Sequence, residues 1–190
     1  MNLIIFGPPG AGKGTQADFI VNKFNLYQLS TGELLRNEIQ NKTKLGQEIK
    51  SIMDTGNLVS NDIVTELIEK YISDESLRNR LIFDGYPRNL TQAKNLENLL
   101  DKYDQKIDIA LKLSVSLNTI KKRISERKTL EKRADDNENI AIKRYENYEK
   151  NIKPVIDFYK QSKLLKVVNG ETLISEISDE ISDIIKGIKG

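Results

Sequence analysis

No cysteine and no histidine occur among the 190 residues, and each absence removes a class of chemistry. Without cysteine neither a disulfide framework nor a thiolate zinc site can form, and without histidine the usual proton shuttle near neutral pH is missing. No apolar run approaches the length needed to cross a bilayer, and residues 1–6 are too short for a signal peptide, so a cytoplasmic protein with no membrane partner is expected. Charge of one sign is scarce too: 30 Lys+Arg stand against 28 Asp+Glu, a formal net charge of +2. Such a balance lacks the strong basic field of a nucleic-acid binder, so small-molecule partners and a monomer are expected. With 38% hydrophobic and 31% charged residues, the length suits one well-buried core, a single domain over 1–190 with room for a small insertion.

What the chain does contain begins at its first apolar run. Leu3-Ile4-Ile5-Phe6 is followed directly by Gly7-Pro8-Pro9-Gly10-Ala11-Gly12-Lys13-Gly14-Thr15. A glycine-rich stretch alone would be read as a turn. Here the residues after it, Gln16 through Phe24, carry Ala17, Ile20, Val21 and Phe24 at helical spacing, so strand, loop and helix follow in the order a phosphate-binding loop requires. Such a loop points successive backbone N–H groups and a helix N-terminus at one spot, and Lys13 adds a mobile point charge. Gly14 follows the lysine, and the expected hydroxyl comes one place later, at Thr15.

Further apolar runs at Leu81–Phe83, Ile107–Leu113 and Leu164–Val168, with a shorter one at Tyr27–Leu29, alternate with amphipathic stretches. That alternation predicts an α/β fold, a parallel five-stranded sheet covered on both faces. Ser30 and Glu33 have capping-box spacing before Leu34, Leu35 and Ile39, which predicts a small helical insertion over 30–59. Asp135 and Glu138 repeat the spacing before Ile140, Ile142 and Tyr145, predicting a long helix to about Tyr159 with a bend at Pro154. Lys128-Thr129-Leu130-Glu131-Lys132 has no apolar periodicity, and an exposed loop is expected there.

Leu81-Ile82-Phe83-Asp84-Gly85 ends a second strand in an aspartate, which would stand beside the magnesium ion of a bound triphosphate. Arg36, Arg88, Arg123, Arg127, Arg133 and Arg144 fall in connections or near helix ends, where a planar fork can clamp phosphates. Two polyphosphates brought together repel by about 4 kcal/mol per charge pair at about 4 Å and an effective dielectric of about 20. Many fixed cations answer that repulsion. An acceptor phosphate is already an anion near neutral pH, so the missing histidine costs such a reaction nothing.

Four dense motifs in order, Gly7 through Gln16, Ser30-Thr31-Gly32-Glu33-Leu34-Leu35-Arg36, Asp84-Gly85-Tyr86-Pro87-Arg88-Asn89 with Gln92, and Arg133-Ala134-Asp135-Asp136, closely resemble the adenylate kinase family of nucleoside monophosphate kinases. The resemblance spans essentially the whole chain and implies a phosphate-loop α/β/α fold, a monophosphate-binding insertion, a lid over 127–136, and ATP, AMP and ADP as ligands with magnesium. It implies that Gly10, Ala11, Gly12, Lys13, Gly14 and Thr15 hold the ATP phosphates, with Arg123, Arg127 and Gly170 completing the donor site. On the acceptor side it implies Thr31, Gly32 and Arg36, with Gly85 and Arg88 at the AMP phosphate, Leu58 and Val59 lining the base pocket and Gln92 reading the adenine edge. Arg133 and Arg144 would span both phosphates, and Asp84, with Thr15 nearby, would hold magnesium through its water shell. Lys13, Arg88, Arg123, Arg133 and Arg144 are the candidate catalytic residues.

The stretch between Arg127 and Arg133 is far shorter than in long-form relatives and, without cysteine, resembles the form that carries no zinc. Tyr86 stands where phenylalanine is usual. UMP/CMP kinases share the short lid, but tend to have alanine and asparagine where Thr31 and Gln92 stand here, so both positions favour AMP. A GTPase switch would need Asn-Lys-x-Asp, which neither Asn22-Lys23 nor Asn41-Lys42 continues. A relative that binds without transferring would be expected to lack a clamping arginine.

Overall fold

In β1 (Asn2–Phe6) successive side chains enter opposite cores, as the period of two in a strand requires. Leu3 and Ile5 join one cluster with Ala17, Ile20, Ile177, Ile181 and Ile185, while Ile4 and Phe6 join another with Leu96, Leu100, Ile152, Val155 and Tyr159. A strand buried on both faces needs no polar alternation. Each such side chain contributes about 1.5–3 kcal/mol by leaving water.

The computed structural model describes the backbone of residues 1–131 and 138–189 and the side chains of residues 1–126 and 142–188. Around β1 are arranged β2 (Tyr27–Ser30), β3 (Leu81–Asp84), β4 (Ile107–Ser114) and β5 (Leu165–Asn169), in one five-stranded sheet of order β2-β3-β1-β4-β5 with every pairing parallel. The first cluster packs α1 (Lys13–Phe24) and α8 (Ile174–Lys189) on one face. The second packs α4 (Asn61–Ile72), α5 (Leu90–Lys102) and α7 (Glu138–Gln161) on the other. The expected three-layer α/β/α architecture is therefore the one observed. The alternation slips once in β4: Ile107 faces the second cluster and Ile109 the first, where the β1–β4 register shifts between Asn2 and Leu3. Below that point a buried amide pair ties the strand bases together. Asn2 donates to Gln105 Oε1 at 3.2 Å and accepts from Leu81 N at 3.1 Å, and Gln105 donates to the Ile72 carbonyl at 2.9 Å.

Between β2 and α4 run α2 (Thr31–Gln40) and α3 (Lys44–Asp54), so closely crossed that a Cβ on Gly46 would lie 2.0 Å from the Glu38 carbonyl oxygen. Ser30 stands at the N-cap of α2 as its spacing suggested, but its side chain makes no capping hydrogen bond. An expectation needs correction. The helix α6 (Leu117–Glu131) takes in residues 128–131, where a loop was expected; Lys128, Leu130 and Glu131 are good helix formers, and they extend an existing helix without an apolar stripe. The long helix expected to about Tyr159 is present as α7, which holds Pro154 within it and ends at Gln161. Asp135 of the second capping pair lies outside the described residues.

Where α5 meets α7, Glu97 stands beside the fully buried Tyr159. Burial raises the Glu97 carboxyl above its ordinary value of 4.5, against an opposing contribution from the Tyr159 hydroxyl. The native state thus holds this proton more tightly than the unfolded chain does. The resulting stability is full below the ordinary value and is lost as pH rises through the raised one. Glu97→Gln should therefore melt at a higher temperature than the parent at pH 7.5, the two curves converging near pH 4. Equal melting temperatures throughout that range would refute this account.

Candidate active site

The strand order places the ends of β1 and β3 side by side while the chain leaves them in opposite directions, toward α1 and α5. Such a divergence opens a crevice at the carboxyl ends of a parallel sheet. It holds a cleft of ≈ 760 Å³.

The β1 side of the cleft is the glycine loop. Gly12 is the N-cap of α1 at φ 91°, a left-handed conformation that only glycine adopts without strain, and no side chain caps the helix. The first-turn N–H groups of α1 therefore face the cleft in an arrangement suited to phosphate oxygens. Lys13 Nζ donates to the carbonyls of Gly7 at 2.9 Å and Pro8 at 3.2 Å. Gly10, Ala11, Gly12, Lys13, Gly14 and Thr15 all line this cavity.

The β3 side carries the acid and the arginines. Asp84 is 8% exposed, and its Oδ2 accepts from Gln28 Nε2 at 3.1 Å. Gly85, at φ 76°, exposes a carbonyl that accepts from Arg88 Nε at 2.6 Å and from Thr31 Oγ1 at 3.0 Å. A Cβ on Gly85 would lie 3.1 Å from both Arg88 Nη2 and Thr31 Oγ1, so this position must stay bare. Arg88 reaches the open cleft while protein crowds it on its other sides; burial lowers its guanidinium below the ordinary value, Asp84 opposes, and the Arg144 and Arg36 cations lower it further. Three cations around one space form an electrostatic hole shaped for a polyanion.

Arg123, from α6, bridges the two halves of the donor side: Nη1 donates to the Ala11 carbonyl at 3.1 Å and Nη2 to the Gly170 carbonyl at 2.8 Å. Gly170 lies just past β5, and a Cβ there would meet Val115 Cγ2 at 2.6 Å. A pocket of ≈ 100 Å³ adjoins the arginines, lined by Thr31, Leu58, Val59 and Gln92 as well as by Gly32, Arg36, Arg88 and Arg144. Thus the structure brings together every proposed site residue whose side chain it describes. The side chain of Arg127 and all of Arg133 lie outside the described residues.

Several lining residues were not legible beforehand. Gln28 reaches Asp84 only because β2 pairs with β3 in the register Ser30↔Asp84. Asn147 of α7 donates to the Gly56 carbonyl at 3.2 Å, linking that helix to the end of the α2–α3 segment. Gln16 donates to the Ile174 carbonyl at 3.3 Å and accepts from Ser178 at 2.9 Å, which seats the start of α8 against the loop helix. The added hydroxyl of Tyr86 is buried without a hydrogen-bond partner, its ring packed in the second core cluster.

Known proteins resemble this chain along nearly its whole length. A family model described as adenylate kinase matches residues 5–164. The adenylate kinase of Pelagibacter ubique is 42% identical over 212 aligned positions, covering 98% of this chain and all of that relative. That of Fusobacterium nucleatum is 38% identical, covering 97% and 98%. That of Flavobacterium psychrophilum is 36% identical over 189 positions, covering 99% and 100%.

Proposed function

The chain belongs to the adenylate kinase family, and from that premise we infer that it moves the γ-phosphoryl group of ATP onto a phosphate oxygen of AMP, giving two ADP. One observation carries the assignment of sides: a single cleft is lined by the glycine loop at one end and by Arg36, Arg88 and Arg144 at the other. ATP lies with its phosphates on the first-turn amides of α1 and on Lys13, and Arg123 closes over it from α6. The AMP phosphate lies among Arg36, Arg88 and Arg144, and its base enters the smaller pocket toward Gln92. Arg127 and Arg133 complete the clamp from the lid segment 127–136, and residues 30–59 form the acceptor-side insertion.

Transfer is in line. The bond from the γ-phosphorus to the bridging β-oxygen breaks as one from the AMP oxygen forms, and no side chain has to take a proton. Positioning and fixed positive charge supply most of the acceleration. Asp84 and Thr15 offer hard oxygen donors beside the loop, a set that fits magnesium, which takes one or two carboxylates plus phosphates and water. When bound, magnesium neutralises charge on the transferring phosphates. Among the described residues no three His, Cys, Asp or Glu converge as a metal site; a lid without zinc is inferred from the sequence, which holds neither cysteine nor histidine to ligate it. No described helix is long and apolar enough to cross a membrane; we assign the chain to the cytoplasm as a monomer.

Activity should vanish with EDTA and return with magnesium alone, whereas a zinc-selective chelator should leave it intact. Loss of activity on zinc chelation would overturn the lid assignment. With ATP as donor and AMP, UMP, CMP and GMP offered in parallel, ADP formation from AMP should exceed every other transfer by at least an order of magnitude. A pyrimidine preference would move the chain to the UMP/CMP branch, and no transfer at all would leave a binding protein.

A further inference from the structure

Beside the base pocket three side-chain amides form a ring whose polarity is imposed by two backbone N–H groups. Asn89 Oδ1 accepts from Gln92 N at 2.8 Å, so its Nδ2 is the end that donates to Asn61 Oδ1 at 3.1 Å. Gln92 Oε1 accepts from Arg88 N at 2.7 Å, so its Nε2 is the end that donates to the same Asn61 oxygen at 2.9 Å. A backbone N–H can only donate. Turning Gln92 end for end would set its amide N–H against the Arg88 N–H and its carbonyl against the Asn61 oxygen. Gln92 is 2% exposed, so water is poorly placed to repair either mismatch.

We propose that Asn61, at the start of α4, is a positioning residue that confers preference for adenine over 6-oxopurines by locking the orientation of Gln92. The proposal rests on Gln92 being the base contact. An amide has two acceptor lone pairs and two N–H donors. With one of each engaged by Arg88 and Asn61, Gln92 keeps one acceptor on Oε1 and one donor on Nε2 for the pocket it lines. Adenine offers the matching pair, an amino donor beside a ring acceptor. Hypoxanthine has the same ring shape but reverses that pair, with a carbonyl acceptor beside a ring N–H. Accepting it would require the turned amide, which the lock opposes. Asn61 lines neither cavity; it holds Gln92 directly and through Asn89, whose Oδ1 accepts from Gln92 N.

The test compares AMP with IMP, using kcat/KM for each with ATP as donor and dissociation constants by calorimetry wherever IMP turnover is too slow. Asn61→Leu, with Asn61→Ala as a second variant should leucine disturb the fold, should lower the AMP-to-IMP ratio about tenfold, with the KM for ATP unchanged. Asn61→Asp keeps the acceptor oxygen and should restore the parent ratio. A ratio retained in both the leucine and alanine variants overturns the lock, as does an Asp variant that behaves like leucine. Gln92→Leu separates the layers. If it collapses the ratio while Asn61→Leu does not, only the lock fails. If Gln92→Leu also keeps the parent ratio, Gln92 is not the base contact, and the lock falls with that assignment.

Discussion

Replacing Lys13 with methionine should lower kcat by about 10²- to 10³-fold, the loss typical when one preorganised group facing transition-state charge is removed. Methionine keeps much of the aliphatic stem but carries no charge. In the structure the ammonium holds the Gly7 and Pro8 carbonyls across the loop mouth. Hydrogen bonds from a charged donor contribute about 1.5–3 kcal/mol each when buried and less beside an open cleft, so the melting temperature should fall by about 2–4 °C for each kcal/mol lost. Stopped or single-turnover measurements should place the loss in the chemical step, with binding of AMP little changed. A variant with near-parent kcat would remove Lys13 from the transferring phosphate.

Arg88→Lys should lower kcat/KM for AMP by about 10- to 100-fold while the KM for ATP stays near the parent value. Two physical reasons act together. The guanidinium is a fork whose Nε is already committed to the Gly85 carbonyl at 2.6 Å, leaving its outer nitrogens to meet phosphate oxygens in a fixed plane. An ammonium keeps the charge and loses that plane. Protein crowding around the cleft-facing side chain and the neighbouring Arg144 and Arg36 cations, against the opposing Asp84 carboxylate, also lower the proton affinity at this position. Arginine stays charged under that pressure, whereas a lysine there would give up its proton more readily. Unchanged kinetics with AMP would take Arg88 out of the acceptor site.

The sheet and the loop were legible because both are local. The unbroken apolar run Leu3 through Phe6 and the glycine spacing ahead of Lys13 are each contained within a few residues, where backbone sterics and burial on both faces of the sheet act directly. Asp84 and Arg88 were legible for the same reason, since both belong to one short segment leaving one strand. The end of α6 was not legible because good helix formers extend a helix without needing an apolar period. The α2 start was placed correctly on Ser30, yet its spacing did not ensure the side-chain cap.

By itself, then, the sequence determined the alternation of strands and helices, the phosphate loop and the set of arginines available to grip phosphates. Only the tertiary structure decided which of those side chains meet and which way each one points. Gln28 reaches Asp84 across 56 positions through a strand register, Asn147 reaches Gly56 across 91, and Gln92 is oriented by Asn61 from 31 positions away. The physical reason is that spacing along an element follows from the backbone's own period. Contact between elements follows from sheet order, register and close packing, which arise only when the whole core is buried at once.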